Sequence, residues 1–172
     1  MTSLPRRTLV LGGARSGKSR HAEELIASQP APWIYIATAQ AFDEEMRGRI
    51  VAHRARRASG WHTVEAPLAL ADAIEAHSGR PILVDCLTLW LSNQMLSQPD
   101  ALAAAIDTLL ATLRSAPGPI VLVSNEVGLG IVPENALARA FRDEQGRLNQ
   151  AVAALAERVV FMAAGLPLTL KG

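Results

Sequence analysis

The sequence predicts an α/β fold in which a mostly parallel central sheet is flanked by helices on both faces. One observation is a series of short apolar runs rich in β-branched residues, and the other is that helix-compatible segments separate them. The runs lie at 8–11, 33–38, 82–86, 120–124 and 158–162. They are mostly apolar without interruption, which suits strands that are buried on both faces of a parallel sheet. Strand and helix therefore alternate, as expected when helices cover both sides of such a sheet.

The segments between the runs have the composition of helices. They lie at 19–28, 44–57, 67–77, 100–114 and 134–157. Chain breakers stand where the predicted turns are needed, since Pro30 and Pro32 precede the second run and a Pro-Gly-Pro sequence at 117–119 precedes the fourth. A last short run at 166–170 predicts one more strand at an edge of the sheet.

Composition and charge limit the classes of function. The chain has 172 residues, 49% of them hydrophobic, and no linker or repeat divides it, so we expect a single domain over residues 1–172. A formal charge of +1 gives no general attraction to nucleic acid. No apolar run is long enough to span a bilayer and no signal-type segment follows the N-terminus, so we expect a cytoplasmic protein. Cys86 is the one cysteine, which excludes an internal disulfide and a multi-cysteine zinc site.

A phosphate-binding loop directly follows the first predicted strand. The segment 12–19 reads Gly-Gly-Ala-Arg-Ser-Gly-Lys-Ser and fits the pattern G-x-x-x-x-G-K-[ST] in full. Its glycines let backbone N–H groups turn toward an anion, and the helix that follows adds its positive end. Lys18 supplies a charge for the β- and γ-phosphates, and Ser19 offers a hydroxyl to Mg²⁺. The predicted fold is therefore P-loop NTPase-like, with a nucleoside triphosphate as ligand. The candidate loop residues are Gly12, Gly13, Ala14, Arg15, Ser16, Gly17, Lys18 and Ser19.

Further candidates follow the other predicted strands, because ligands of open parallel sheets bind at the carboxyl ends of the strands. These candidates are 38–40, Asp85 and the pair Asn125 and Glu126. Asp85 stands where a P-loop enzyme places the acid that holds Mg²⁺, directly or through water. The alternative is an aspartate that only caps the next turn. Kinases, ATPases and GTP switches share such a loop, but the Asn-Lys-x-Asp motif by which switch GTPases read guanine is absent.

A histidine lies in a basic stretch within the predicted helix 44–57. On a helix, Met46, Ile50, His53 and Arg57 share one stripe, and Arg54 and Arg56 are close by. A neutral imidazole can attack phosphorus, and nearby guanidinium groups would stabilise phosphoryl charge and keep the imidazole neutral. His53 is therefore a candidate nucleophile. The alternatives are a solvated helix end with an incidental histidine, and arginines that serve as a lid over the triphosphate.

Six sequence motifs together resemble one enzyme family over nearly the whole length. The motifs lie at 12–20, 35–40 (Tyr-Ile-Ala-Thr-Ala-Gln), 49–54, 61–65 (Trp-His-Thr-Val-Glu), 84–88 and 125–135. The last motif reads Asn-Glu-Val-Gly-Leu-Gly-Ile-Val-Pro-Glu-Asn, which is long and unusual. The chain resembles the bifunctional adenosylcobinamide kinase / adenosylcobinamide-phosphate guanylyltransferase family of cobalamin biosynthesis.

The resemblance implies two reactions, several site residues and a quaternary state. A γ-phosphate from ATP or GTP goes to the hydroxyl of the corrinoid adenosylcobinamide, and GMP from GTP then goes to the resulting phosphate through a GMP–histidine intermediate at His53. The implied nucleotide contacts, beyond the phosphate loop, are Ala37, Thr38, Ala39, Arg54, Ala55, Arg56, Arg57, Glu65 and Asp85. The family also implies a homo-oligomer, and the phosphate loop itself implies Mg²⁺. A P-loop kinase with a single activity on another alcohol is the alternative, and a regulatory nucleotide-binding module is a third.

Overall fold

A computed structural model describes residues 4–40 and 59–172, and it contains one sheet that runs through the described chain. The seven strands are β1 (Arg7–Gly12), β2 (Trp33–Ala37), β3 (Trp61–Glu65), β4 (Ile82–Asp85), β5 (Ile120–Asn125), β6 (Arg158–Ala163) and β7 (Leu166–Lys171). The α-helices of the described residues are α1 (Lys18–Ala27), α2 (Leu70–Ala76), α3 (Leu87–Ser97), α4 (Leu102–Ser115) and α5 (Ala136–Leu155). A short 3₁₀ turn, Pro99–Ala101, connects α3 to α4.

The strand order is β3-β2-β4-β5-β1-β6-β7, and β5 therefore occupies the centre. All neighbouring pairs are parallel except β6 and β7, which are antiparallel. In the register, Gly12 of β1 lies opposite Asn125 of β5, and Asp85 of β4 lies opposite Val123. The carboxyl ends of β1, β5 and β4 thus meet at one edge of the sheet.

Helices cover the two faces unequally, and each face has its own core. On one side α1 packs over Val10, Tyr35, Leu83 and Val123, with Ala22 and Ile26 pointing inward from the helix. On the other side α2 to α5 pack over the alternate strand residues. This larger core includes Leu9, Ile34, Val84, Trp90, Leu109, Leu122 and Leu148. Because the strands are covered on both faces, their sequences carry uninterrupted apolar runs.

The predicted mostly parallel sheet with helices on both faces is confirmed, and so are the five predicted strands, with ends shifted by a residue or two. The run at 166–170 is an edge strand, β7. The predicted helix 44–57 lies outside the described residues. Among the described residues no helix is long and apolar enough to cross a bilayer.

Two elements were not predicted, and three of the predicted helices begin two or three residues later than predicted, at Leu70, Leu102 and Ala136. The strand β3 is partly exposed along its length and mixes polar with apolar residues, so it lacks the continuous run of the central strands. The helix α3 has buried residues on most of its sides, among them Leu87, Trp90 and Leu91. A helix that is buried on most sides lacks the amphipathic period by which a surface helix is recognised in a sequence.

Candidate nucleotide-binding site

The phosphate loop connects the end of β1 to the first turn of α1. Gly17 directly precedes the helix with φ 94°, a left-handed conformation that glycine adopts without strain. A Cβ atom built on Gly12 would lie 2.5 Å from Ser16 Oγ and 2.7 Å from Met162 O, so no larger residue fits there without displacement. The Gly165 N–H, in the turn between β6 and β7, donates to Ser16 O at 2.9 Å. The glycines therefore allow the loop to fold tightly against β6 and the turn that follows it.

Lys18 is the first residue of α1, and it turns back over the loop. Its Nζ donates to Gly13 O at 2.8 Å, and only 9% of the residue is exposed. Burial lowers the pKa of Lys18 from its ordinary value, while the nearby Cys86 and Asp85 act in the opposite direction. The ammonium group is thus held inside the loop and electrostatically coupled to Asp85.

Asp85 ends β4 and shares the α1 face of the sheet with Lys18. The Tyr35 hydroxyl donates to Asp85 Oδ2 at 2.9 Å. Tyr35 is 5% exposed, and its ring packs edge-on against Trp61 at 6.1 Å between ring centroids. One oxygen of the carboxylate is therefore oriented by a buried hydroxyl.

Sequence reasoning did not identify Tyr35 as part of the site. A signal was present, since Tyr35 is the chain's single tyrosine and stands inside an apolar run. A buried tyrosine hydroxyl usually finds a hydrogen-bond partner, so a polar residue on a neighbouring strand was to be expected. Which residue it would be depended on strand order, which the sequence does not state.

The end of β2 is bound to the residue that follows β4. The buried Thr38 Oγ1 donates to Cys86 O at 2.7 Å and accepts from the Cys86 N–H at 2.8 Å. Asn93 Nδ2 of α3 donates to Thr38 O at 2.8 Å. The side chain and carbonyl of Thr38 thus bind protein groups, and Thr38 holds the Asp85–Cys86 corner, whose peptide bond is cis. Burial is the main cause that raises the pKa of the Cys86 thiol to about 11, so the thiol is protonated at neutral pH.

The predicted site residues separate into two groups. One group lies at the carboxyl ends of the parallel strands and comprises the phosphate loop, Ala37, Thr38 and Asp85. Glu65 belongs to the same group, because it is the last residue of β3, the outermost strand beside β2. Ala37 lies opposite both Glu65 and Asp85 in the register. Ala39 follows Thr38 in the connection after β2. The predicted contacts at 54–57 and the predicted nucleophile His53 lie outside the described residues.

The described residues fit a magnesium ion that is held mainly by phosphates and water. In residues 4–40 and 59–172, no group of three or more His, Cys, Asp or Glu side chains could hold a metal alone. Mg²⁺ seldom requires such a group, because it retains water and uses one or two carboxylates together with substrate phosphates. Asp85 offers a carboxylate on the phosphate-loop side, and Ser19 offers a hydroxyl in the first turn of α1. These two oxygen ligands are of the type that the ion prefers.

Comparison with solved structures supports the fold. A protein from Pyrococcus horikoshii OT3 superposes with a TM-score of 0.54 and is 9% identical. The match covers 99% of this chain and 88% of that one. At this identity, the likeness concerns the fold alone.

Comparison with sequences identifies the family. A family model described as cobinamide kinase / cobinamide phosphate guanyltransferase matches residues 8–170. The bifunctional adenosylcobalamin biosynthesis protein CobP of Pseudomonas aeruginosa is 56% identical, over 96% of this chain and 98% of that protein. The bifunctional adenosylcobalamin biosynthesis protein CobU of Salmonella typhimurium is 43% identical, over 95% and 98%. The family model and these relatives match nearly the whole chain, so the chain belongs to the cobinamide kinase / cobinamide phosphate guanyltransferase family.

Proposed function

We propose that this protein phosphorylates adenosylcobinamide with ATP or GTP and then transfers GMP from GTP to the adenosylcobinamide phosphate. The observation that carries the proposal is the phosphate loop, with Lys18 buried within it and electrostatically coupled to Asp85, in a chain that belongs to this family. The products of the second reaction are adenosylcobinamide-GDP and pyrophosphate. A P-loop kinase with one activity is the alternative, and it differs by lacking the second reaction.

In the kinase reaction the terminal phosphoryl group is transferred. The hydroxyl oxygen of the corrinoid forms a bond to the γ-phosphorus, the bond from that phosphorus to the β–γ bridging oxygen breaks, and the hydroxyl proton is released. The leaving group is a nucleoside diphosphate, which the loop N–H groups and Lys18 hold. Charge that develops on these oxygens is stabilised by donors that are already in position.

The guanylyl transfer breaks a different bond of the triphosphate. A nitrogen of His53 forms a bond to the α-phosphorus, and pyrophosphate leaves with the electrons of the α–β bridge. A phosphate oxygen of the corrinoid then forms a bond to the same phosphorus and releases the histidine. A loop that grips the β- and γ-phosphates stabilises the leaving group here, so one loop serves both reactions.

Ser19 and Asp85 are the proposed ligands of Mg²⁺ in this site. When bound, the ion would neutralise phosphate charge and orient the β- and γ-phosphates. Tyr35 orients the Asp85 carboxylate through the hydrogen bond to Oδ2. Glu65, which ends β3, is a proposed nucleotide contact together with Ala37, Ala39 and 54–57. Thr38 is fully buried, and it holds the end of β2 in place beside these contacts.

Covalent labelling tests the proposed function. We expect GTP labelled at the α-phosphate to leave label on the denatured protein, and peptide mapping to find it on His53 as a phosphoramidate that is labile to acid. The variant His53→Ala should lose the label and guanylyl transfer. His62→Ala, which changes an exposed histidine of β3, is the matched control and should keep both. Label on another residue contradicts the role of His53, and kinase activity without any label supports the single-activity kinase.

Two further expectations remain predictions. The homo-oligomer implied by the family can be checked by light scattering of the purified protein. The cytoplasmic location expected from the sequence can be checked by fractionation of cells that express it.

A further inference from the structure

Asn125 occupies a central position between the two motifs of the site. It ends β5, the strand between β1, which leads to the phosphate loop, and β4, which ends with Asp85. Val123 packs in the core beneath α1, whereas Ser124 hydrogen-bonds to α5 on the other face. Because side chains alternate along a strand, the side chain of Asn125 belongs to the α1 face, as do Lys18 and Asp85.

The backbone of Asn125 is held from both sides by buried side chains. Its N–H donates to Thr88 Oγ1 of α3 at 2.8 Å, and its carbonyl accepts from Asn149 Nδ2 of α5 at 3.1 Å. Asn149 Oδ1 in turn accepts from Ser124 Oγ at 2.6 Å and from Gln145 Nε2 at 3.0 Å. A polar network of this kind inside a core fixes one arrangement when its members bind one another.

The same strand end is tied directly to the phosphate loop. The N–H of Glu126 donates to Gly12 O at 3.1 Å, which joins the residue after Asn125 to the first residue of the loop. The position of Asn125 relative to the loop is therefore set by hydrogen bonds and by the register of β1 and β5.

The carboxamide of Asn125, in contrast to its backbone, binds no other described residue. The side chain is half-buried, and no hydrogen bond within residues 4–40 and 59–172 uses its Nδ2 or Oδ1. An anchored residue whose two amide donors are left available, beside a phosphate loop, has the chemistry of a phosphate ligand.

We propose that Asn125 Nδ2 donates a hydrogen bond to the terminal phosphate of the bound nucleoside triphosphate. This inference rests on the proposed function, because it needs a triphosphate in the loop. A neutral donor adds a directed bond without adding charge to a site that already contains Lys18. In the kinase reaction the bound group is the one transferred, and in guanylyl transfer it is the distal half of the departing pyrophosphate.

Paired binding measurements test the proposal. The probes are α,β-methylene GTP and α,β-methylene GDP, added without corrinoid, because the α–β bond of these analogues cannot be cleaved. In Asn125→Ala we expect the triphosphate analogue to bind about tenfold more weakly and the diphosphate analogue to bind as in the unchanged protein. Gln150→Ala removes an exposed amide on α5, and it should alter neither affinity.

The outcomes separate this inference from the proposed function. If the unchanged protein binds neither analogue, the phosphate-loop assignment itself fails. If it binds both and Asn125→Ala keeps the same ratio of the two affinities, the terminal-phosphate contact is refuted. Asn125→Asp, which preserves side-chain size, is the second variant if the alanine variant does not fold, and it should lower triphosphate affinity further because a carboxylate repels phosphate. An unchanged ratio in Asn125→Asp refutes the contact equally.

Discussion

Asp85 lies between two groups that act on it differently. Lys18, on the phosphate-loop side, is coupled to it by charge, and the Tyr35 hydroxyl binds Oδ2 at 2.9 Å from within the core. The carboxylate is therefore oriented by Tyr35, while its charge acts on the Lys18 ammonium group of the phosphate loop. Burial of Lys18 costs solvation, which the loop carbonyl of Gly13 and the charge of Asp85 offset in part.

Lys18→Ala should abolish both reactions and leave the fold intact. The ammonium group holds charge that develops on the phosphates, so we expect both rates to fall by about a hundredfold or more. The chain has one other lysine in the described residues, Lys171 of β7, which bonds to carbonyl groups of α5 and is far along the sheet from β4. Lys171→Ala is the matched control and should retain both activities. Steady-state rates beside thermal unfolding give the answer, and normal rates in a folded Lys18 variant would contradict the assignment.

Tyr35→Phe should disturb the orientation of the Asp85 carboxylate without removing its charge. Removal of the hydroxyl leaves Oδ2 without its donor, which should lower the free energy of unfolding by about 1–3 kcal/mol. If Asp85 holds Mg²⁺, the variant should need a higher Mg²⁺ concentration for half-maximal activity, with less change in nucleotide affinity. Asp85→Asn should show the same pattern more strongly. Activity with an unaltered Mg²⁺ dependence in both variants would support a turn-capping role for Asp85.

The elements that carry the site are joined at both ends of β1. At the carboxyl end, β1 leads into the phosphate loop and bonds to the residue after β5. At the amino end, the Arg7 guanidinium donates to Leu113 O of α4 at 3.0 Å and forms an ion pair with Glu157, the residue before β6. The Arg7 N–H also donates to Glu157 Oε2 at 2.6 Å. The strand that presents the loop is thus positioned by contacts with distant parts of the chain.

The pair of Arg7 and Glu157 predicts a pH dependence of stability. Burial raises the pKa of Glu157, but hydrogen bonds from the backbone and side chain of Arg7, together with its charge, outweigh burial and lower the pKa. A carboxyl group whose pKa is lower in the folded state stabilises the fold above the ordinary value of 4.5, and this contribution is lost as the pH falls through the folded pKa. The effect is small, since 41% of the Glu157 side chain is exposed.

Thermal unfolding as a function of pH measures this contribution. We expect Glu157→Gln to be less stable than the unchanged protein at neutral pH, and the difference to shrink as the pH falls below 4.5. A difference that is constant over this range would show that the substitution acts by some route other than ionisation. Unchanged stability at neutral pH would show that the pair contributes nothing measurable.

The whole molecule is organised around the central strand β5. Its side chains alternate between the two cores. Val121 and Val123 pack in the core beneath α1, and Ile120 and Leu122 pack in the core on the other face. The same strand ends with Asn125 at the site. The packing of both cores therefore sets the position of the carboxyl end of β5, so substitutions in these cores should also affect Asn125.

Leu122→Ala should be among the more damaging single substitutions. Leu122 is fully buried, so its truncation should lower the free energy of unfolding by about 2–5 kcal/mol. Leu168→Ala in β7 removes the same atoms from a residue that is 59% exposed, and it should have little effect. Urea unfolding of both variants provides the comparison. Equal losses would contradict the view that the central core dominates stability.

Much of this protein could be predicted from local sequence. The phosphate loop was identifiable because its chemistry resides in eight consecutive residues, Gly12–Ser19. The central strands were identifiable because burial on both faces leaves a continuous apolar run, and Asp85 was identifiable because it ends such a run. The family could be named from motifs that are each contiguous in sequence, and the comparisons bear that out.

Only the tertiary structure decided which of these local features lie together. The contact of Tyr35 with Asp85 joins residues 50 positions apart, and it exists because β2 pairs with β4 although β3 comes between them in the chain. The strand β3 and the helix α3 went unpredicted because partial exposure in one and burial on most sides in the other removed the periodic signal. Asn125 was a candidate because it ends a predicted strand, but only the structure showed that Thr88 and Asn149, from two helices, hold its backbone. The sequence determines the chemistry of each segment through short-range pattern, whereas strand order and packing bring distant side chains within hydrogen-bond distance.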